Sequence, residues 1–178
     1  MTAMSTALDV IADWPVPAAA AAVVGPAGIL ASRGDLTRAY RLASVTKPLV
    51  ARAAQVAVEE GVVDLETPAG PPDATVRHLL AHASGLAMNS AEILAPPGAR
   101  RLYSNYGFAV LAQTLEAHSG IEFGRYLTEA VFDPLGMTSS RLDDGASAAG
   151  FGGVSTVADL AAFAGDLLRP RTVSAPMH

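Results

Sequence analysis

The spacing of apolar and polar positions changes once along the chain. Up to residue 43 the apolar residues come in short runs cut by turn signals: "AAAAAVVG", then Pro26 to Gly28, then "ILAS", the turn "RGD", and "LTRAYRLA" with partial alternation. Runs of this length predict short strands joined as a small meander. From residue 44 the period becomes helical. "SVTKPLVARAAQVAVEEG" places Leu49, Ala53, Val56 and Ala57 near one face and Gly61 just past the end, which predicts a long first helix. "TVRHLLAHASGL" predicts a shorter one, with Thr75 as N-cap, Val76, Leu79 and Leu80 on its apolar side and Gly85 as terminator. Residues 105 to 118 carry Phe108, Leu111, Ala112 and Leu115 at i, i+3, i+4, i+7 and should stop at Gly120. Phe123, Tyr126, Leu127, Ala130 and Val131 form the next stripe, which Pro134 and Gly136 should break. A last helix follows "GFGGVST", where Thr156 and Asp159 predict a capping box and Leu160, Phe163, Ala164 and Leu167 should face inward. The expected class is α+β, with several helices and a few strands, all at the N-terminal end.

Composition narrows the chemistry. With no cysteine, disulfides, thiolate metal sites and thiol nucleophiles are excluded. A chain of 178 residues fits one domain, and at this size about 70% of the unfolded surface can be buried. The net charge of −5, from 17 acidic against 12 basic residues with no dense basic block, argues against a nucleic-acid partner. The apolar stretch at 17–25 falls well short of the roughly 20 residues that span a bilayer. Asp9 and Asp13 precede it and no positive residue appears before Arg33, so no signal peptide and no membrane partner are expected, and the location expected is cytoplasmic. His78 and His82 are spaced like a zinc-binding pair, but Leu79 stands where a glutamate should, so neither a metal nor a cofactor is expected.

The basic residues hold the most specific signal. Eleven of the twelve are arginine, and the one lysine, Lys47, stands three places after Ser44 and directly before Pro48. If a helix starts at Ser44 or Val45, the two side chains share a face, and Pro48 falls in the first turn, where backbone donors lack helical partners anyway. Ser44 could be a plain N-cap and Lys47 a solvated surface residue. Yet a cation at the third helical position opposes the helix dipole, at a cost of about 0.3–1 kcal/mol. An amine that has lost its proton there could accept the serine's. That requires a dry pocket, because an ordinary lysine needs about 4 kcal/mol to become substantially neutral near pH 7.5. Otherwise the ammonium stays charged and lowers the pKa of a neighbouring acid. "RLYSNYG" supplies a candidate in Tyr103, together with Asn105, one of only two asparagines. Taken alone, Tyr103 would read as a loop tyrosine and Ser104 or Asn105 as an N-cap.

"SVTK" at 44–47, "HLLAHASGL" at 78–86, "YSN" at 103–105, "FDPLGM" at 132–137 and "GGVST" at 152–156 together resemble the serine β-lactamase and penicillin-binding-protein superfamily, nearest to class C β-lactamases, family VIII esterases and related D-alanyl carboxypeptidases. The resemblance runs from about residue 18 to 168. It implies a β-lactamase/transpeptidase-like fold, with Ser44 as the acylated nucleophile and Lys47 as its activating amine. Tyr103 would be the acid/base for leaving group and water, and Asn105 would bind the substrate carbonyl or orient Lys47. The Ser44 N–H would supply one oxyanion donor. Gly85, Gly152 and Gly153 would serve backbone geometry, and His78 and His82 the fold.

The family's late Lys- or His-centred triplet is absent. The expectation is therefore one partial domain over 1–178: an N-terminal helix and strands over 1–43, a helical region with the site motifs over 44–168, and a tail over 169–178. Its antiparallel sheet would be incomplete, with an exposed edge that another chain could pair with. The function expected is a serine hydrolase acting through an acyl-enzyme on small ester or amide substrates, β-lactams or D-alanyl peptides among them. The alternative is an inactive fragment or a scaffold for assembly. An α/β-hydrolase is disfavoured, since G-x-S-x-G does not occur.

Overall fold

A computed structural model of the chain describes residues 7–174. The expectations that touch residues 1–6, at the start of the N-terminal helix and strands, and 175–178, at the end of the tail, lie outside the described residues.

Strands β1 (Ala21–Gly25) and β2 (Gly28–Arg33) form the expected antiparallel hairpin, with Gly25 opposite Gly28 across the turn. The meander stops there. Strand β3 (Tyr40–Arg41) leaves the hairpin, and with β4 (Arg141–Leu142) it flanks β5 (Gly153–Ser155) in a second antiparallel sheet of order β3-β5-β4. The strands are thus not all N-terminal. Segments of two or three residues carry no readable alternation, and the β3–β5 pairing spans more than a hundred positions of sequence.

The helices are α1 (Thr46–Glu59), α2 (Val76–Leu80), α3 (Asn105–Ser119), α4 (Phe123–Leu127), α5 (Asp133–Leu135) and α6 (Val157–Leu168). One core joins them: Leu49, Val50, Ala53 and Ala57 of α1 meet Phe108, Leu111 and Leu115 of α3 and Phe123 and Leu127 of α4. Each of these larger side chains contributes about 1.5–3 kcal/mol by leaving water. The α3 stripe is buried as its period requires, and the helix ends at Gly120 in a left-handed cap. Pro134 does not break the following segment. A wide helical turn over Thr128–Phe132 connects α4 to α5, where Pro134 occupies the first turn and forfeits little, and Gly136 at φ 68° ends the helix.

Helix α6 keeps Phe163 in the core and Leu160 against it, and departs from its predicted face toward its C-terminal end. Its buried positions are Asp159, Ala161, Phe163 and Asp166, while Leu167 is 41% exposed. Two acids take inner positions because each has polar partners there. Asp166 pairs with Arg52 of α1 at 3.4 Å and accepts from the Arg171 and Thr172 backbone and the Thr172 hydroxyl. These bonds and the Arg52 charge outweigh burial, which acts the other way, and hold the Asp166 carboxyl below its ordinary range. Asp159 accepts from Ser139 N and Ser140 Oγ instead of closing a reciprocal capping box, of which only the Thr156 half forms.

Candidate active site

Ser44 sits in a tight helical turn, Ala43–Val45, at the entrance to α1. Ala43 precedes it at φ 45°, a conformation that L-residues with a Cβ rarely adopt and that the surrounding contacts must hold. Thr46 does much of that holding. Fully buried, it donates its hydroxyl to Ala43 O at 2.7 Å and accepts the Gly153 N–H at 2.9 Å, while Leu42 N donates to Gly153 O at 2.8 Å. The serine turn is therefore bolted to the central strand of the small sheet. A side chain at Gly153 would meet Thr46 Oγ1 at 2.7 Å, which explains the glycine.

Tyr103 and Asn105 reach the same place from the start of α3. Ser104 caps that helix, accepting from Gly107 N at 2.8 Å and donating to Ala87 O at 2.7 Å. Residues 82–89 form the platform below: Leu102 N donates to His82 O, Ser104 N to His82 Nδ1, and Asn105 N and Tyr106 N to Met88 O. Gly85 turns this platform at φ 85°, where a Cβ would collide with the Ala95 carbonyl oxygen. Both histidines bond neighbouring chain through Nδ1. His78 Nδ1 bonds Thr75 in a capping box at the head of α2, and His82 Nδ1 is taken by Ser104.

The sole lysine ends in a cage. Lys47 is 5% exposed, and its Nζ contacts Asn105 Oδ1 at 2.6 Å, Gly150 O at 2.7 Å and Ser44 Oγ at 3.3 Å. Its nitrogen lies 4.5 Å from the centre of the Tyr103 ring and 5.6 Å from that of Phe108. Asn105 Nδ2 donates to Asn89 Oδ1 at 2.8 Å, an assignment that turns Oδ1 toward the lysine. Burial raises the Tyr103 phenol, but hydrogen bonding with Lys47 and Ser44 and the charges of Lys47 and Arg101 outweigh it and hold the phenol below its ordinary 10.0. Burial and the same two cations push the His82 imidazole down to about 4.

The four residues singled out in the sequence, Ser44, Lys47, Tyr103 and Asn105, thus converge on one point. Only part of that point is dry. Lys47 is enclosed, whereas Ser44 and Tyr103 face outward, the latter 42% exposed. A cavity of about 370 Å³ lined by Asn89, Asn105, Tyr106, Ala109, Ser147 and Phe151 opens beside Asn105.

The sequence profile of the family described as Beta-lactamase matches residues 12–178. The chain belongs to the beta-lactamase family. Among solved structures, a beta-lactamase from Mycobacterium bovis is 74% identical and superposes with a TM-score of 0.96 over 97% of this chain and 63% of that one. An octameric penicillin-binding protein homologue from Pyrococcus abyssi, 21% identical, shares the fold with a TM-score of 0.79 over 99% of this chain and 58% of its own. Penicillin-binding protein 4* of Bacillus subtilis (strain 168) is 29% identical over 136 residues, 58% of this chain. The chain spans 30% of that curated relative's length.

Within this beta-lactamase-family chain, the sequence reading missed Gly150, Thr46 and Asn89. Gly150 contributes only a carbonyl, for which no side chain gives a signal. Thr46 lay inside the quoted "SVTK" and could have been found by asking what a buried hydroxyl in a first helical turn would bond. Asn89 is the second of the chain's two asparagines, a composition clue that went unused.

Proposed function

We propose that the chain carries the nucleophile and its activating groups for a serine hydrolase that works through an acyl-enzyme on small ester or amide substrates, with β-lactams and D-alanyl peptides as candidate classes. The observation that supports this most is the valence of Lys47 Nζ. Asn105 Oδ1 and Gly150 O can only accept, so they engage two N–H bonds, and the remaining position of the nitrogen faces Ser44 Oγ. In the amine form that position is a lone pair. The Ser44 proton passes to it as Oγ bonds the substrate carbonyl carbon, and negative charge moves to the carbonyl oxygen, toward the Ser44 N–H. Collapse expels the leaving group, which takes a proton from Tyr103. Water then attacks the Ser44 ester, giving its proton to the Tyr103 phenolate, and Oγ takes its proton back from the Lys47 ammonium as the acid departs. Asn105 orients the amine, and the adjoining cavity is positioned to take the substrate's side chain. No helix among the described residues is long and apolar enough to cross a membrane.

One observation favours a second reading, that of a non-catalytic scaffold. Ser44, Val45 and Tyr103 are open to water, so among the described residues no wall on that side excludes solvent from the reacting atoms. Intact-mass measurement after exposure to a fluorophosphonate, or to a penicillin as second probe, separates the two. One covalent adduct, lost in Ser44→Ala, supports the hydrolase. An adduct that persists in Ser44→Ala overturns the assignment of the nucleophile, and no adduct with either probe favours the scaffold.

A further inference from the structure

We propose that His82 is a positioning residue that fixes the phenol of Tyr103 by tying down both of that residue's chain neighbours; the catalytic importance of this rests on the hydrolase reading above. Tyr103 stands between Leu102 and Ser104. The Leu102 N–H donates to the His82 carbonyl at 2.7 Å, and the Ser104 N–H donates to the His82 ring nitrogen Nδ1 at 3.1 Å. One residue thus grips the backbone on either side of the tyrosine. The imidazole also backs the phenol ring, centroid to centroid at 4.5 Å, and is itself backed by Phe108 at 5.1 Å. Tyr103 is 42% exposed while His82 is 7% exposed, so the histidine belongs to the fixed side of the tyrosine and solvent to the other.

The grip has chemical requirements. His82 must be neutral, with Nδ1 as acceptor and the proton on Nε2, because a doubly protonated ring has no acceptor for the Ser104 N–H. Lys47 of α1 and Arg101 of the preceding loop are the charged groups that act on the ring, Tyr103 is the titratable group stacked on it, and α3 presents Phe108 to it. Both cations favour the neutral form. His82 also holds a left-handed backbone at φ 56°, which aims its carbonyl and its ring at the same strand of chain. A general core histidine would need none of this pairing.

Two substitutions separate the ring from the acceptor. His82→Asn keeps an oxygen near the place of Nδ1 and tolerates the left-handed backbone, whereas His82→Phe keeps a ring and removes the acceptor. The readout is the titration of Tyr103 in the folded chain by ¹³Cζ-tyrosine NMR, with the resonance assigned by its loss in Tyr103→Phe. The expected result is a Tyr103 titration that moves toward that of free tyrosine, by about half a pH unit or more, in His82→Phe and stays near the parent in His82→Asn. If His82→Asn fails to fold, the curve of His82→Phe decides; if His82→Phe fails, a displacement of about half a pH unit or more in His82→Asn overturns the proposal. A parent-like curve in His82→Phe, or a curve displaced as far in His82→Asn, overturns the proposal. This measurement needs no turnover, so failure of Ser44 to label in every variant would count against the hydrolase reading alone.

Discussion

Lowering the pH from 7 to 4.5 should weaken the fold through His82 by an amount that can be worked out beforehand. The imidazole titrates near 6.5 in the unfolded chain and near 4 in the folded one, because burial and the charges of Lys47 and Arg101 oppose its protonation. Between those values the unfolded chain binds the proton and the folded chain does not, so stability rises with pH there and falls as acid is added. The contribution is complete above 6.5 and lost below 4, and at its full extent it is about 3 kcal/mol. Between pH 7 and 4.5 the loss from this one group is about 2 kcal/mol, or a drop in Tm of about 4–8 °C for a domain this size. Asp166, depressed by its hydrogen bonds and by Arg52, loses stability in the same direction as pH falls, so the comparison must be internal. Urea unfolding of the parent and of His82→Asn at both pH values provides it. The parent should lose about 2 kcal/mol more than the variant over that interval. Equal losses would refute the claim that His82 is held neutral by its surroundings.

Three further outcomes are expected. Asp166→Ala removes the partner of a buried guanidinium and the acceptor of three hydrogen bonds, and should cost about 3–5 kcal/mol in urea unfolding, with a loss under about 1 kcal/mol counting against a structural ion pair. Thr46→Val keeps the shape but strands the buried Gly153 N–H, so it should destabilise by about 1–3 kcal/mol, read as a shift in the urea midpoint at unchanged slope. Gly150→Ala places a Cβ 3.0 Å from Asn105 Cα and O, which must push the Gly150 carbonyl off Lys47, and fluorophosphonate labelling of Ser44 should slow at least about tenfold; an unchanged rate would show that this carbonyl does not orient the amine.

How much of this was readable in advance depended on whether partners lay near in sequence. Helix α3 could be read residue by residue because Phe108, Leu111 and Leu115 repeat at the helical period and Gly120 punctuates it. The capping roles of Thr75 and Ser104 were legible for the same reason, since a cap and its donor lie within one turn. Strand β5 was not, since three residues cannot display a period and one of its two neighbours, β3, comes from the far end of the chain. Helix α6 misled in a more instructive way: hydrophobicity assigned Leu167 to the interior, while Asp166 goes there to meet Arg52, more than a hundred positions away. At the site, the Ser44 and Lys47 pairing followed from one-turn spacing. Tyr103 and Asn105 could be nominated as chemistry that a lysine would use, but their roles came from the resemblance, because nothing local to "YSN" points to residue 47.

The enclosure of Lys47 has a practical corollary. The chain offers a lysine-directed reagent a single ε-amine, and the folded state shuts that amine behind Asn105 and Gly150. Uptake of an amine-reactive dye at this position therefore works as a clock for breathing of the structure. Its rate, followed by peptide mapping, would time how often the first helix and the loop carrying Gly150 part company.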